Sequence, residues 1–288
     1  MNISVLTISM PLDGETLEEM SALCMEATAA DQVVYDSILN LPMAGSFESK
    51  GFMVLAYDDD EDKLVGAASA IDLMGLHTYE WSLVVNPTYR QLGIGVALAD
   101  VLQEGLVQRG AEGQLALVVE GAPVGREFIE KRSFAYSFSE ATLYMVAGAI
   151  ESNPTITIQA YEGEQAALVE IYCAAFGDLP EEAEELIAFN TLETERKLWV
   201  ARKNGELVGT VTTSVEDNAQ WITALAVHPN VERQGVGSAL LAFVKNYAYE
   251  TGAKNVLLDV EIENNKALTV YEKAGFVKSQ QIDYFAKI

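Results

Sequence analysis

The chain has 288 residues, half of them hydrophobic, and a formal net charge of −25 at pH 7. This length suits two domains, and the apolar content allows a sizeable core, which excludes a disordered chain. The negative charge disfavours nucleic acid and anionic membranes as partners, because proteins bind their phosphates through Lys and Arg. The sequence shows no N-terminal signal and no apolar run of bilayer length, so a cytoplasmic protein is expected.

Three features of the first half stand out in chain order. An Ala-rich helical pattern, SALCMEATAA, contains Cys24. The acidic run DDDED at residues 58–62 separates two strand-like segments and is interpreted as a solvated hairpin turn. A cation site there is disfavoured, because consecutive carboxylates lack the spacing of metal ligands. The third feature, VVNPTYRQLGIGVALADVL at residues 84–102, begins as a strand and ends as a helix.

This strand–helix junction occurs twice. The stretch VHPNVERQGVGSALLAFV at residues 227–244 repeats its valine, proline, glycine and leucine positions 142 residues later. The matched positions are Val85, Pro87, Gly93, Gly95 and Leu98 with Val227, Pro229, Gly235, Gly237 and Leu240. A constant offset indicates one fold used twice. The join is placed in the polar stretch AIESNP, which gives domains at residues 1–150 and 151–288.

The second copy is predicted to contain strands and helices in a defined order, which the first copy repeats. The predicted elements are a strand at 155–160, helices at 164–176 and 180–191, a hairpin at 197–215, a strand at 221–227, a helix at 235–250, a strand at 255–262, a helix at 265–274 and a strand at 276–288. Asn204 and Gly205 suit the hairpin turn, because both tolerate positive φ.

Neither cysteine chemistry nor a metal site is predicted. Cys24 and Cys173 are too few for a disulfide framework and lack a positioned histidine partner, so both are interpreted as small buried hydrophobes. The two histidines, His77 and His228, cannot build a zinc site without further ligands.

The paired glycines of each junction have two interpretations. At a helix N-terminus, where backbone amides lack partners, glycines let those amides close around phosphate oxygens. The alternative is that the glycines only permit close packing of strand against helix. The Rossmann pattern G-x-G-x-x-G and the Walker pattern are both absent, so these folds are not predicted.

The junctions resemble the acetyl-CoA-binding motif of the GNAT superfamily of N-acetyltransferases, V-x-P-x-x-R/Q-x-x-G-x-G/A. The first copy matches it fully, whereas the second has Glu232 at the Arg/Gln position and Arg233 next to it. The segment DVEIENNKALTVYEKAGF at residues 259–276 is similar to the family's second hallmark, N-x-x-A-x-x-x-Y-E-K-x-G-F. The resemblance implies an α/β fold, more closely α+β: two tandem domains, each a mixed and mostly antiparallel sheet flanked by helices.

The two copies differ where chemistry is expected. Asn264, Ala267 and Tyr271 of the second hallmark correspond at the 142-residue offset to Ala122, Gly125 and Ile129. The N-terminal domain is therefore predicted to have a degenerate reaction centre, and the C-terminal domain to be the catalytic one.

The resemblance implies acetyl-CoA as cofactor and direct transfer of its acetyl group to a primary amine. The pantetheine arm would lie between the strands at 221–227 and 255–262, with an amide near Ala226 or Val227 polarising the thioester and Tyr271 as the acid that protonates the leaving thiolate. Asn264 would bond the arm or shape the start of its helix. The implied cofactor-binding residues are Leu225, Ala226, Val227, Arg233, Gln234, Gly235, Val236, Gly237, Ser238 and Asn264, with Val85, Arg90, Gly93 and Gly95 in the first copy.

The general base is not identified by the sequence. At the place where relatives often carry a glutamate, the 142-residue offset puts Thr223 and Trp81, and Glu80 lies one residue away. Other carboxylates of the second copy, Glu216, Asp217 and Glu261, read more simply as surface charges. The acceptor could instead lose its proton to solvent.

Several functions remain open at this point. The acceptor is expected to be a small-molecule or peptide amine, and the acidic surface favours a cationic small molecule such as a polyamine or an amino sugar. Transfer of another acyl group, or transfer to a thiol-precursor amine as in the tandem mycothiol synthases, is a further alternative. A non-catalytic tandem module that binds CoA, acyl-CoA or a protein is the alternative of another class. The sequence leaves the oligomeric state open.

Overall fold

The computed structural model describes residues 2–46, 50–73, 75–151, 153–192, 195–216 and 218–288. The chain forms two compact units, of which the first comprises Met1–Glu140 with Gln280–Ile288 and the second Ala141–Ser279. Within the described ranges, no helix has both the length and the apolar character needed to cross a bilayer.

The first unit repeats the predicted alternation of strands and helices. Its elements are β1 (Ile3–Ser9), α1 (Gly14–Asp31), α2 (Leu41–Ala44), β2 (Gly51–Asp58), β3 (Lys63–Ile71), β4 (Thr78–Val85), α3 (Ile94–Gln108), β5 (Gly113–Val119), α4 (Gly125–Lys131) and the first part of β6 (Phe134–Val146). Strands β1 to β5 lie side by side in chain order, and only β4 and β5 pair in parallel. The acidic run forms the predicted turn between β2 and β3.

The second unit has the same plan. Its elements are β7 (Ile156–Ala160), α5 (Gln165–Phe176), α6 (Pro180–Leu192), β8 (Arg196–Lys203), β9 (Glu206–Glu216), β10 (Ala219–Val227), α7 (Val236–Thr251), β11 (Asn255–Glu261), α8 (Asn265–Ala274) and the start of β12 (Val277–Lys287). The sheet runs β7-β8-β9-β10-β11 and continues to the second part of β6. Strands β7 to β10 pair antiparallel with their neighbours in chain order, whereas β10 and β11 pair in parallel. The predicted fold class, tandem domains with mixed and mostly antiparallel sheets flanked by helices, is confirmed.

Local backbone preferences explain the turns that shape this unit. Asn204 and Gly205 have φ values of 53° and 86°, as a primed hairpin turn requires. Helix α7 buries Val236, Leu240 and Val244 along one stripe and ends at Gly252, whose left-handed φ of 85° suits a C-cap glycine.

The last strand of the sequence belongs to the first unit. In β12, residues from Ile282 to Ala286 pair antiparallel with β5, and Phe285 is fully buried in the first unit's core. The units therefore differ from a division at residue 150: residues 141–150 belong to the second unit and residues 280–288 to the first. Periodicity cannot reveal this exchange, because a strand reads the same whichever sheet it joins.

Neither of the two cysteines forms a disulfide. Cys24 is buried, and burial raises the pKa of its thiol to about 12, while Cys173 is half-buried and also free. The residues that the structure describes hold no group of three His, Cys, Asp or Glu able to bind a metal ion.

Replacing Phe285 tests the strand exchange. Phe285→Ala should lower the stability of the first unit by about 3–5 kcal/mol, because it leaves a cavity in that core. Hydrogen–deuterium exchange of the full chain should then show lost protection in β5. Ile288→Ala, at a side chain that is 86% exposed, is the control and should change nothing. Lost protection in β11 instead would contradict the assignment of β12.

Candidate active site

A β-bulge in β10 is the first feature of the candidate site. Thr223 pairs with Thr212 and Ala226 with Thr210, so two residues of β10, Ala224 and Leu225, lie opposite one residue of β9. Ala224 takes a left-handed φ of 48° there. The matching strand β4 pairs with β3 in unbroken register. Strand β10 therefore carries one residue more than β4, as a bulge does.

Beside the bulge, the parallel pair β10–β11 separates. The two strands pair only from Ala219 to Trp221 against Asn255 to Leu257. A cavity of ≈ 280 Å³ opens beyond this point. It is lined by Trp221, Ile222, Thr223, Ala224, Leu225, Leu258, Asp259 and Tyr271. The bulge and the end of the ladder thus produce a cleft between two strands of one sheet.

The peptide groups of β10 after the bulge point alternately to β9 and into the cleft. His228 donates its backbone N–H to the carbonyl of Val208 across 2.9 Å. Backbone N–H groups of successive residues point to opposite sides of a strand. The N–H of Ala226 therefore also points to β9, whereas those of Leu225 and Val227 point into the cleft. Of the predicted amides, that of Val227 is therefore available to a ligand, with Leu225 beside it, and that of Ala226 is engaged by the sheet.

The glycine loop of the second unit forms a left-handed turn into α7. Gly235 has a φ of 83° and Arg233 a φ of 58°, and no side chain caps the first amides of α7. A Cβ on Gly235 would meet only the amide of Asn153, at 3.5 Å, so its conformation rather than space requires glycine. Gln234 and Ser238 are exposed beside these amides.

Cationic side chains surround this loop. Lys203 donates to the side chain of Gln234 across 2.7 Å. Lys266 forms an ion pair with Glu232, which offsets the negative charge at the position where relatives carry Arg or Gln. Arg233 is exposed and has no ion pair among the described residues. The local charge therefore suits an anion, although the whole chain is acidic.

The corresponding loop of the first unit has the same backbone conformation, but its surroundings are acidic. Gly93 has a φ of 87°, and Gly95 follows in α3, which packs on Val85. Arg90, however, forms a bidentate ion pair with Asp31, at 2.8 and 2.6 Å, and Arg90 holds the pKa of that carboxyl below its usual range. The cavity of ≈ 540 Å³ beside this loop is lined by Asp58, Asp60, Glu61, Lys63, Thr88 and Tyr89. This acidic lining disfavours a diphosphate.

In the first unit, a tryptophan side chain fills the place that corresponds to the cleft of the second unit. Once the extra residue of β10 is counted, Trp81 corresponds to Ile222, and not to Thr223 as the constant offset implied. Trp81 is buried, donates to Gln114 across 3.0 Å and packs edge-on against Phe134. Ile129, the counterpart of Tyr271, lies in the same core. The first unit therefore has neither the bulge nor a phenol at this place.

Tyr271 lines the cavity of the second unit and is not sealed in the core. It lies on α8, with its ring edge-on to Phe276 at 5.8 Å, and its hydroxyl has no hydrogen-bond partner among the described residues. Burial raises the pKa of Tyr271, which keeps the phenol protonated at neutral pH. Asn264 caps the same helix, because its side chain accepts from the N–H of Ala267 at 3.0 Å.

The carboxylates considered from the sequence do not line the cavity. Glu216 and Glu261 are exposed at the ends of their strands, Asp217 lies outside the described residues, and Glu80 is half-buried in the first unit, where burial and then Glu140 raise its pKa. The cavity instead contains Asp259, which the sequence reading missed. The signal that could have identified Asp259 is a carboxylate in the middle of the largely apolar strand NVLLDVEI.

The chain belongs to the family described as "Acetyltransferase (GNAT) family", whose sequence profile matches residues 16–134 and again 165–276. It is thus an N-acetyltransferase with two GNAT domains in tandem.

Curated relatives and solved structures agree with this plan over nearly the whole chain. The mycothiol acetyltransferase of Rhodococcus jostii (strain RHA1) is 28% identical over 96% of this chain and 96% of its own. That of Clavibacter sepedonicus is 29% identical over 78% and 77%. The GCN5-related N-acetyltransferase from Sphaerobacter thermophilus superposes with a TM-score of 0.76 at 18% identity, covering 98% of this chain and 95% of that one. A tandem GNAT protein from the clavulanic acid biosynthesis pathway gives 0.70 at 16% identity, with 98% of both chains covered.

Amide hydrogen exchange tests the geometry of β10. The amides of Leu225 and Val227 should exchange at least ~100-fold faster than those of Ala226 and His228, because only the latter pair is bonded to β9. Residue-resolved NMR of the free protein measures this difference. Equal protection of all four amides would show that the cleft side of β10 is closed.

Proposed function

We propose that the chain transfers the acetyl group of acetyl-CoA directly to the primary amine of a small molecule or peptide, in the cleft of its C-terminal domain. The observation that carries this proposal is the coincidence, in one unit, of the bulged and open cleft, the uncapped glycine turn and the free hydroxyl of Tyr271. The first unit has the glycine turn alone.

The residues of the second unit fit acetyl-CoA. The amides from Gln234 to Ser238, at the positive end of the α7 dipole, would hold its diphosphate, with Arg233 and Lys203 beside them. The amides of Leu225 and Val227 would bond the pantetheine arm and the thioester oxygen, as an added strand does. Val236 starts α7 with its side chain buried in the core, Gly237 follows without a side chain, and Asn264 fixes the start of α8.

When bound, acetyl-CoA supplies an activated acyl group that an amine can attack without a covalent enzyme intermediate. Leu225 and Val227 present N–H groups to the oxygen on which negative charge develops. Burial raises the pKa of Tyr271, so the phenol holds its proton at neutral pH and would be present as the acid for the leaving sulfur. The second unit is therefore equipped to stabilise charge at two atoms of the reacting group.

The N-terminal domain is proposed to act as a structural partner with a degenerate reaction centre. Its Arg90 is engaged by Asp31, its cleft is filled by Trp81, and acidic residues line the cavity at its loop. Relatives that span nearly the whole chain are called mycothiol acetyltransferases, which supports a small-molecule amine as acceptor.

The second candidate function is a non-catalytic module that binds CoA or acyl-CoA. The absence of a glutamate at the usual base position, where this chain has Thr223, favours it. The two functions are separated by release of CoA from acetyl-CoA over a panel of amines, since a binding module would bind without turnover.

Matched glycine variants test which loop binds the cofactor. Gly235→Ala and Gly93→Ala each place a side chain at a φ above 80°, at a cost of about 1–2 kcal/mol. Isothermal titration should show acetyl-CoA binding at least about 10-fold weaker for Gly235→Ala, equivalent to about 1.4 kcal/mol. Gly93→Ala should bind like the wild type. The reverse result would assign the working site to the first domain.

Removing one hydroxyl tests the proton donor. Tyr271→Phe should lower kcat by about 10²–10⁴-fold while acetyl-CoA binds as before, because the leaving thiolate loses its acid. Tyr249→Phe, at an exposed tyrosine on α7 outside the cavity, is the control and should keep full activity. Unchanged kcat in Tyr271→Phe would exclude Tyr271 as the acid.

A further inference from the structure

The cavity of the second unit is lined from both faces of its sheet. Leu258 and Tyr271 belong to the core beneath α7 and α8. Side chains alternate along β11, so Asp259 lies on the opposite face, which α5 and α6 cover elsewhere in the sheet. Thr223 shares that face, because it pairs with Thr212, two residues from Thr210, whose partner Ala226 packs in the α5–α6 core. The cleft therefore has two mouths with different chemistry.

The glycine turn leads into α7 and so lies with Tyr271 on the first of these faces. A cofactor whose diphosphate is held there enters from the α7 side, which leaves the α5 side for the acceptor. Resting on the proposed function, we infer that the Asp259 carboxylate binds the acceptor's ammonium group at this second mouth and accepts its proton. Asp259 is then the general base that the usual glutamate position lacks.

The surroundings of Asp259 suit this role. Thr142 of β6 donates a hydrogen bond to its Oδ1 across 2.6 Å, which orients the carboxylate. Asp259 has no ion pair among the described residues. By strand alternation, Tyr144 of β6 and Glu261 of β11 share its face of the sheet, and β10 has no charged side chain. Desolvation raises the pKa of Asp259 against the opposing effect of Thr142, which brings it nearer to that of an amine.

A polar group accompanies the carboxylate at this mouth. The Thr223 hydroxyl oxygen is buried and has no hydrogen-bond partner among the described residues, although Thr223 lines the cavity. An unpaired buried hydroxyl is costly unless a ligand bonds it. This second mouth thus offers one negative charge and one free hydroxyl, which suits an amine that carries further polar groups.

The proton balance of the step is complete. The acceptor ammonium loses one proton to Asp259, and its nitrogen forms the bond to the acyl carbon as the carbon–sulfur bond of the thioester breaks. The sulfur takes the proton of Tyr271, and the second proton of the nitrogen restores the phenol. Asp259 then releases its proton to water, so one proton is produced for each amide formed.

The test compares Asp259→Asn with Glu261→Gln, a control on the same strand and face. Acetyl-CoA is used with spermidine, glucosamine and cysteine as amines, from about pH 4 to 9, so that the range begins near the ordinary pKa of an aspartate. Asp259→Asn should lower kcat/KM for the amine by about 10²-fold or more, leave acetyl-CoA binding unchanged, and remove the rise of kcat/KM with pH that ionisation of Asp259 produces. Glu261→Gln should keep the wild-type profile.

Thr142→Val provides a second test, because the pH profile should change only if Asp259 acts as the base and does not merely support the fold. Loss of its hydrogen bond should raise the pKa of Asp259, so the rising limb of the pH profile should shift to higher pH. An Asp259→Asn enzyme with kcat/KM within about 3-fold of the wild type and an unchanged profile would overturn the inference.

A further measurement covers the case in which none of these amines is acetylated. The Asp259 carboxyl carbon should then still shift in NMR when the amines are titrated into the CoA-bound protein, and no shift with any of them would overturn the inference. Failure of the wild type to bind acetyl-CoA would instead refute the proposed function itself.

Discussion

One additional residue in β10 is the constraint on which the site depends. It forces two consecutive residues, Thr223 and Ala224, onto one face, while the side chains on either side of the bulge keep the regular alternation. It also directs the amides of Leu225 and Val227 away from β9 at the place where β11 separates. Strand β4 lacks this residue, and there a tryptophan fills the space. Two copies of one fold thus differ here, with an open cavity in one and a buried tryptophan in the other, through a local change in strand register.

The backbone alone does not decide where an anionic cofactor binds. Both glycine turns have nearly the same φ, 87° at Gly93 and 83° at Gly235, and both start a long helix. What differs is charge: the guanidinium of the first copy is neutralised by Asp31, whereas the glutamate of the second is neutralised by Lys266. The motif match favours the first loop as an anion site, whereas the charges around the loops favour the second. The motif cannot show this, because Asp31 and Lys266 come from distant segments of the chain.

The sequence predicts the helices and strands well, but it does not predict that the last strand joins the sheet of the first unit. Periodicity and capping signals placed α8 at the observed residues and α7 within one residue, because local propensity and tertiary packing agree there. The bulge was missed because the 142-residue offset, correct after Leu225, changes to 141 before it. Asp259 was missed for a related reason: only the separation of two strands turns a residue within an apolar strand into part of a cavity.

The assignment of residues 141–150 to the second unit has a chemical consequence. Thr142, which orients Asp259, lies before the linear boundary suggested by the repeat, on a strand whose first part belongs to the other copy. A C-terminal domain cut at residue 151 would contain every motif residue of the family and still lack the hydroxyl that fixes this carboxylate. Strand β6 continues from the first unit into the second, and its second part brings Thr142 to the carboxylate of Asp259.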